Sequence, residues 1–205
     1  MLHQHLILEN DKVLLRPLRK QDFPILRELC TDPKMWTWFT FDLSTEEGFT
    51  NWADPALHGE RLQFTVVDKS TGQLVGSTAF GNYAPRDQRI EIGWTWLGKA
   101  AQGTGINQAM KKVMLQYCFE KLNLKRVEIK TDVLNLPARH ALLKLGAVEE
   151  GVLRSHTLMV HGRRRDTIYY SVLPEEWEKI KKDQETGFKT WIWSGASEGR
   201  NCFRM

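Results

Sequence analysis

Apolar and polar positions alternate along the chain in patterns that divide it into short elements. Val13 to Leu18 (VLLRPL) reads as a strand. Asp22 is placed as the N-cap of a helix running to Cys30, with Phe23, Leu26 and Leu29 at helical spacing. Leu62 to Asp68 and Leu74 to Phe80 are predicted strands, joined by KSTGQ, in which Gly72 marks a hairpin turn. Arg89 to Leu97 (RIEIGWTWL) is a fourth strand. The strongest helical pattern covers 106–120. Ile106, Met110, Val113, Met114, Tyr117 and Cys118 form one apolar stripe, and Lys111, Lys112, Gln116 and Glu120 fall off it. Lys125 to Val133 is predicted as a strand, and Pro137 to Leu145 as a short helix ended by Gly146. Val152 to Val160 and Asp166 to Leu173 are two strands joined by HGRRR, and Glu175 to Lys182 is a last helix. The order predicts one mixed α/β (α+β) domain over residues 1–185, with an irregular tail over 186–205.

Composition narrows the class. With 205 residues, 41% of them hydrophobic, the chain can bury one sizeable core. The net charge of +4 is too small to argue for nucleic acid, which calls for a concentrated basic stripe. No apolar run approaches the roughly 18 residues of a membrane span, and the N-terminus lacks the pattern of a signal peptide. Three scattered cysteines (Cys30, Cys118, Cys202) give neither a disulfide framework nor a metal spacing, and the six histidines give none either. A cytoplasmic protein without a metal is expected. Eight tryptophans are the less ordinary number: 36, 38, 52, 94, 96, 177, 191 and 193.

The sharpest local signal is Gln102-Gly103-Thr104-Gly105-Ile106-Asn107, between the fourth strand and the strongest helix. Glycines let the backbone turn tightly and present several N–H groups, and the helix N-terminus adds partial positive charge, so an anionic phosphate is favoured. The turn is neither a P-loop, since Ile106 and Asn107 follow Gly105, nor a dinucleotide fingerprint, since Gln108 stands where a third glycine is needed. On its own it also reads as a plain strand-to-helix turn. The preceding strand adds to it. Alternation sets Ile90, Ile92, Trp94 and Trp96 on one face, and Glu91, Gly93, Thr95 and Leu97 on the other. A carboxylate beside small residues leaves room for a ligand against the backbone.

These segments resemble the GNAT superfamily of acetyl-CoA-dependent N-acetyltransferases, and within it the RimJ/RimL type that acetylates ribosomal-protein N-termini. The resemblance covers roughly residues 10–180. It rests on VLLRPLRKQDF, EIGWTWL, QGTGINQAMKKVMLQYCFE, KTDVLNLPARHALLKLGAVEEGVLR and GRRRDTIYYSVLPEEW, in that order. It implies a mixed, mostly antiparallel sheet of about seven strands, splayed between the fourth and fifth and flanked by helices. It implies acetyl-CoA as cosubstrate, with pyrophosphate on Gln102, Gly103, Thr104, Gly105, Ile106 and Asn107. Pantetheine would lie on the backbone of Thr95, Trp96 and Leu97, with Asn135 across the gap. Where many members carry a tyrosine that protonates the thiolate, this chain has Leu142. Ala138 replaces a serine frequent in the close branch, Thr157 a glutamate sometimes found in that strand, and Ala100 the usual first residue of the loop.

Acetyl transfer needs a neutral amine, a base to take its proton, and N–H groups to polarise the thioester carbonyl. Glu91 is the candidate base, with a structural carboxylate as the other reading. Tyr169 and Tyr170 are candidate thiolate donors, of which strand alternation lets at most one face the site, with a core role for these rings and protonation by solvent as the other readings. HGRRR reads as a solvated hairpin tip, with RNA contact the other option. The aromatic-rich segment 31–60 falls where the superfamily walls its acceptor site, so Trp36 or Trp38 is expected to contact the amine, while the remaining rings pack the helices. The acceptor itself, a protein N-terminus or a small-molecule amine, is not specified by the sequence, and a homodimer stays open. A non-catalytic acyl-CoA sensor and an RNA- or ribosome-associated module are the competing functions.

Overall fold

The computed structural model describes residues 5–182. The expected tail, with Trp191, Trp193 and Cys202, lies outside them. In chain order the elements are β1 (Leu8–Glu9), β2 (Val13–Pro17), α1 (Phe23–Leu29), α2 (Glu46–Leu57), β3 (Leu62–Asp68), β4 (Gln73–Ala84) and β5 (Arg89–Leu97). They continue as α3 (Ile106–Gln116), β6 (Arg126–Asp132), α4 (Leu136–Leu145), β7 (Val148–Leu158), β8 (Arg164–Val172) and α5 (Pro174–Lys182). The sheet has eight strands in the order β1-β2-β3-β4-β5-β6-β8-β7, one more than expected because Leu8–Glu9 adds a short edge beside β2. The fourth and fifth strands of the sequence map are therefore β5 and β6. All pairs are antiparallel except β5–β6.

Local chemistry explains most boundaries. Gly72 (φ 71°) turns the β3–β4 hairpin, and Gly146 (φ 97°) ends α4 in the left-handed conformation a C-terminal cap requires. Asn135 begins α4, its Oδ1 accepting from the Ala138 amide at 3.2 Å. The helix predicted over 106–120 is α-helical only to Gln116; Tyr117–Lys121 form a π-helical turn. Asp22 occupies the N-cap position of α1, yet its carboxylate caps nothing there. It is 2% exposed and instead holds Arg16 through two hydrogen bonds (2.7 and 2.8 Å), the Arg19 amide and the Thr65 hydroxyl.

Two buried clusters sandwich the sheet. One joins Ile90 and Ile92 of β5 to Met110, Val113 and Met114 of α3 and to Trp177 of α5. The other joins Trp96 to Leu26 of α1, Trp36, and Phe49 and Trp52 of α2. Four of the six tryptophans among the described residues are thus core residues, and Trp36, Trp52 and Trp96 meet edge to face at 5.6–5.9 Å, a favoured aromatic geometry.

The sheet opens at one place. β5 and β6 pair only at Arg89–Arg126, Ile90–Val127 and Glu91–Glu128. Beyond Glu91, β5 stays with β4 while β6 stays with β8 as far as Asp132. A bulge on β5 lies where they part: the β4–β5 register slips between Ser77 and Ala79, and Trp94 has φ 49°. A bulge bends its strand and sharpens the twist, which carries the far half of β5 away from β6.

Candidate active site

A cavity of about 360 Å³ fills the parting of β5 and β6. Glu91 to Thr95 form one wall, Ile129 to Thr131 the other, and α3 and α4 supply Asn107, Lys111, Ala138 and Leu142. The bulge changes what β5 presents there. Strict alternation would set Trp94 and Trp96 beside Ile90 and Ile92. The extra residue reverses the parity: Trp96 joins the α1–α2 core, while Thr95 turns toward α3 and Leu97 joins the Ile90–Ile92 cluster. Of the three expected pantetheine contacts only Thr95 lines the cavity; Trp96 and Leu97 are buried against β4.

Glu91 precedes the bulge and lies where sequence reasoning puts it, at the cavity wall and 4% exposed. Its Oε2 accepts from Asn82 Nδ2 at 2.7 Å and from Lys130 Nζ at 2.9 Å. Neither partner was expected. Asn82 has φ 49° at a second irregularity, between Gly81 and Ala84 of β4. Asparagine tolerates that conformation better than most side chains. Gly93 is the neighbour on the other side: a Cβ there would come within 2.9 Å of Glu91 Oε1.

Lys111 is the main site residue that the apolar pattern missed. Placed off the stripe, it is in fact 5% exposed, and its Nζ donates to Thr95 Oγ1 at 2.7 Å. Burial pushes its pKa down to about 7, against the attraction of Glu91, which raises it. A sequence signal existed: Asn107 and Lys111 are four apart on one helix and so share a face. Asn107 Oδ1 is itself buried without a hydrogen-bond partner among the described residues, at the cavity wall.

The turn before α3 has the form its glycines require. Gly103 (φ 76°) and Gly105 (φ 88°) are both left-handed, and Gly105 begins the helix. Gln102 Nε2 closes the turn on the Leu97 carbonyl at 2.9 Å, Thr104 Oγ1 donates to Ala101 O at 2.7 Å, and the Ile106 side chain is core. The first-turn N–H groups of α3 have no intrahelical acceptor, so the turn presents donors to an anion. The orphaned Asn107 oxygen and the glycine turn, with the Lys12 ammonium on the Thr104 carbonyl, suit a phosphate-bearing, pantetheine-like cosubstrate. On the opposite wall Asn135 lines the cavity, with its Nδ2 3.3 Å from Thr131 Oγ1.

On the acceptor side the two candidate tryptophans separate. Trp36 is 3% exposed, donates to the Cys30 carbonyl at 3.0 Å and stays in the core. Trp38 lines the cavity with Phe39 and Phe41, and the Arg163 guanidinium lies 5.8 Å from its ring. Arg163 is paired with the fully buried Asp132. HGRRR is therefore not simply solvated: Arg165 is buried, donates to Thr167 at 2.9 Å and reaches the cavity. Neither Tyr169 nor Tyr170 lines the cavity; Tyr170 is core, with its hydroxyl between Arg139 and Glu149. Leu142 and Thr157 do line it, and neither can replace an ionisable donor. Cys30 and Cys118 are buried away from the cavity, and burial pushes the Cys30 thiol up to about 11 and the Cys118 thiol well above its usual value.

Comparison with known proteins agrees with this architecture. The chain is 29% identical over 179 residues to the Bacillus subtilis protein "Putative ribosomal N-acetyltransferase YdaF", covering 84% of this chain and 97% of that one. Among solved structures, a "GCN5-related N-acetyltransferase from Brucella melitensis" superposes with a TM-score of 0.82 at 29% identity, over 89% of this chain and 85% of that one. The family model described as "Acetyltransferase (GNAT) domain" matches residues 12–148, which takes in the glycine turn and the whole of both strands that part around the cavity, and by that match the chain belongs to the GNAT acetyltransferase family.

Proposed function

We propose that this protein transfers the acetyl group of acetyl-CoA to a primary amine by direct attack in a ternary complex. The observation that carries the reading is the cavity at the β5–β6 parting, with a donor-rich glycine turn and Asn107 at one end and a buried carboxylate on its wall. The N–H groups from Gly103 to Asn107 hold the pyrophosphate, and Thr95 and Asn135 border the pantetheine from the two strands. Glu91 Oε1, which no described side chain or amide donates to, takes the proton of the attacking amine through water. Trp38 walls the acceptor. Both cysteines among the described residues, Cys30 and Cys118, are buried away from the cavity, which speaks against either as an acetyl carrier.

The Bacillus subtilis relative is named for a ribosomal substrate. For this chain the cavity's own charge supports an acceptor with a single amine: Lys111, Lys130 and Arg165 stand against Glu91 alone, which disfavours a polycation. Release of free thiol from acetyl-CoA is the test, with a panel of peptides bearing Ser or Ala N-termini, amino acids, aminoglycosides and polyamines. Turnover is expected with a peptide or amino acid and least with polyamines. Tight acetyl-CoA binding with no thiol released by any amine would establish the sensor reading instead.

A further inference from the structure

We propose that Lys111 is the proton donor to the departing thiolate, in place of the tyrosine whose position Leu142 fills. The proposal rests on the acetyltransferase reading above. As the amine nitrogen bonds to the acetyl carbon, the carbon–sulfur bond breaks and its electron pair goes to sulfur. An alkyl thiol has a pKa near 8.5, so protonation of sulfur as it leaves lowers the barrier near neutrality. Lys111 Nζ gives up that proton and becomes a neutral amine. The amine substrate's proton goes to Glu91. Solvent in the cavity then returns a proton to Lys111 and removes one from Glu91, so the sum is amide plus free thiol.

The geometry selects Lys111 among the cavity's polar groups. It points from α3 beside Asn107, directly across from the parted stretch of β5, with Nζ on the Thr95 hydroxyl. Thr95 Oγ1 is in turn 2.8 Å from Thr78 Oγ1, which leaves the ammonium one fixed anchor. Among the described residues it forms no ion pair. A buried ammonium without a carboxylate contact is costly, and a methionine would fill the same volume without that cost. The charged groups around it are Glu91 on β5, Lys130 on β6 and Arg165 on β8. From α4 come only Ala138, Ala141 and Leu142, and from the 38–41 segment only aromatic rings and Thr40. Lys130 is tied to Glu91, and Arg165 cannot release a proton near neutral pH. Burial pulls the Lys111 pKa down to about 7, into the range where a group can both give and regain a proton.

Three measurements test this. Lys111→Met should lower kcat about 100-fold while the acetyl-CoA Kd stays within about threefold, which also reports that the variant folds. The wild type is expected to lose kcat as pH rises through about 7, and Lys111→Met should erase that fall. Lys111→Arg keeps the charge but not the labile proton, and should resemble Lys111→Met. An acetyl thioester with a thiol about two pH units more acidic needs no donor and should restore most of the lost rate to Lys111→Met. Independently of turnover, one lysine Nζ resonance should titrate near pH 7 in the free protein and vanish in Lys111→Met. Turnover with an unaltered kcat and pH profile in Lys111→Met overturns the donor role alone, as does a protein in which every lysine titrates near 10. A wild type that releases no thiol with any amine overturns the acetyltransferase reading and the donor role together.

Discussion

Asp22 and Glu91 are both buried carboxylates, 2% and 4% exposed, and each is paired with one cation. They differ in how their oxygens are used. Asp22 commits both: Oδ1 to Arg16, and Oδ2 to Arg16, the Arg19 amide and Thr65. Glu91 receives both its donors on Oε2, and Oε1 is left beside Gly93 at the cavity wall. A carboxylate saturated by its own fold ties strands and helices together. One that is half-saturated and faces a cavity keeps an oxygen for an incoming proton. Burial alone does not separate the two; the use of the lone pairs does.

The contrast is sharpest in Glu91→Gln. It should cut kcat about 1000-fold, or about 4 kcal/mol of barrier, with stability changed by less than about 1 kcal/mol because both donors meet one oxygen, which the amide of Gln retains. Steady-state kinetics and denaturant unfolding check both, and unchanged turnover would put Glu91 in the same class as Asp22. Asp22→Asn should do the reverse, costing about 3 kcal/mol of stability while kcat per folded molecule stays within about twofold. Burial raises the Asp22 pKa, but the hydrogen bonds from Arg16, the Arg19 amide and Thr65 outweigh it and hold it below its ordinary value. The stabilisation it gives is therefore complete above about pH 4 and lost as pH falls through the lowered value. Unfolding measured from pH 6 downward should show that loss in the wild type and a flatter profile in Asp22→Asn. Gly93→Ala brings a methyl group against Oε1 and should lower kcat about tenfold at constant acetyl-CoA affinity. The smallest effect is expected of Trp38→Ala: a roughly fivefold rise in acceptor KM with acetyl-CoA KM unchanged, and the opposite split would remove Trp38 from the acceptor wall.

What could be read in the sequence follows from how local its causes are. The strand Arg89–Leu97, the glycine turn, the hairpin turn at Gly72 and the helix cap at Gly146 depend on nearby residues, and the structure has them at the expected positions. Glu91 lies at the cavity wall, a placement that alternation makes legible because it holds on β5 up to the bulge. Past Trp94 it fails, since an inserted residue leaves no periodic trace and a tryptophan at φ 49° is not an evident bulge former. Asn82 was missed for the same reason one strand away. Lys111 was missed because charged residues are ordinarily exposed, and only the cavity on its side of α3 explains the exception. Trp36 and Trp38, two residues apart in one aromatic run, are set apart by the packing of Trp36 on Trp96, a contact distant in sequence, and by the bond of Trp36 to the Cys30 carbonyl.

The bracket of Asp132, Arg163 and Trp38 divides labour between two lengths of chain. On the proposed function, the rim of the acceptor mouth is held from the β7–β8 connection, whose anchor is a carboxylate inside the sheet. The groups proposed to carry protons, Glu91 and Lys111, and the turn before α3 belong to a different stretch, between Asn82 and Lys111. On that reading, insertions or exchanges at the tip of that connection would recut the mouth for a new amine while the machinery behind it is left alone, and the fold would change its clientele without relearning its reaction.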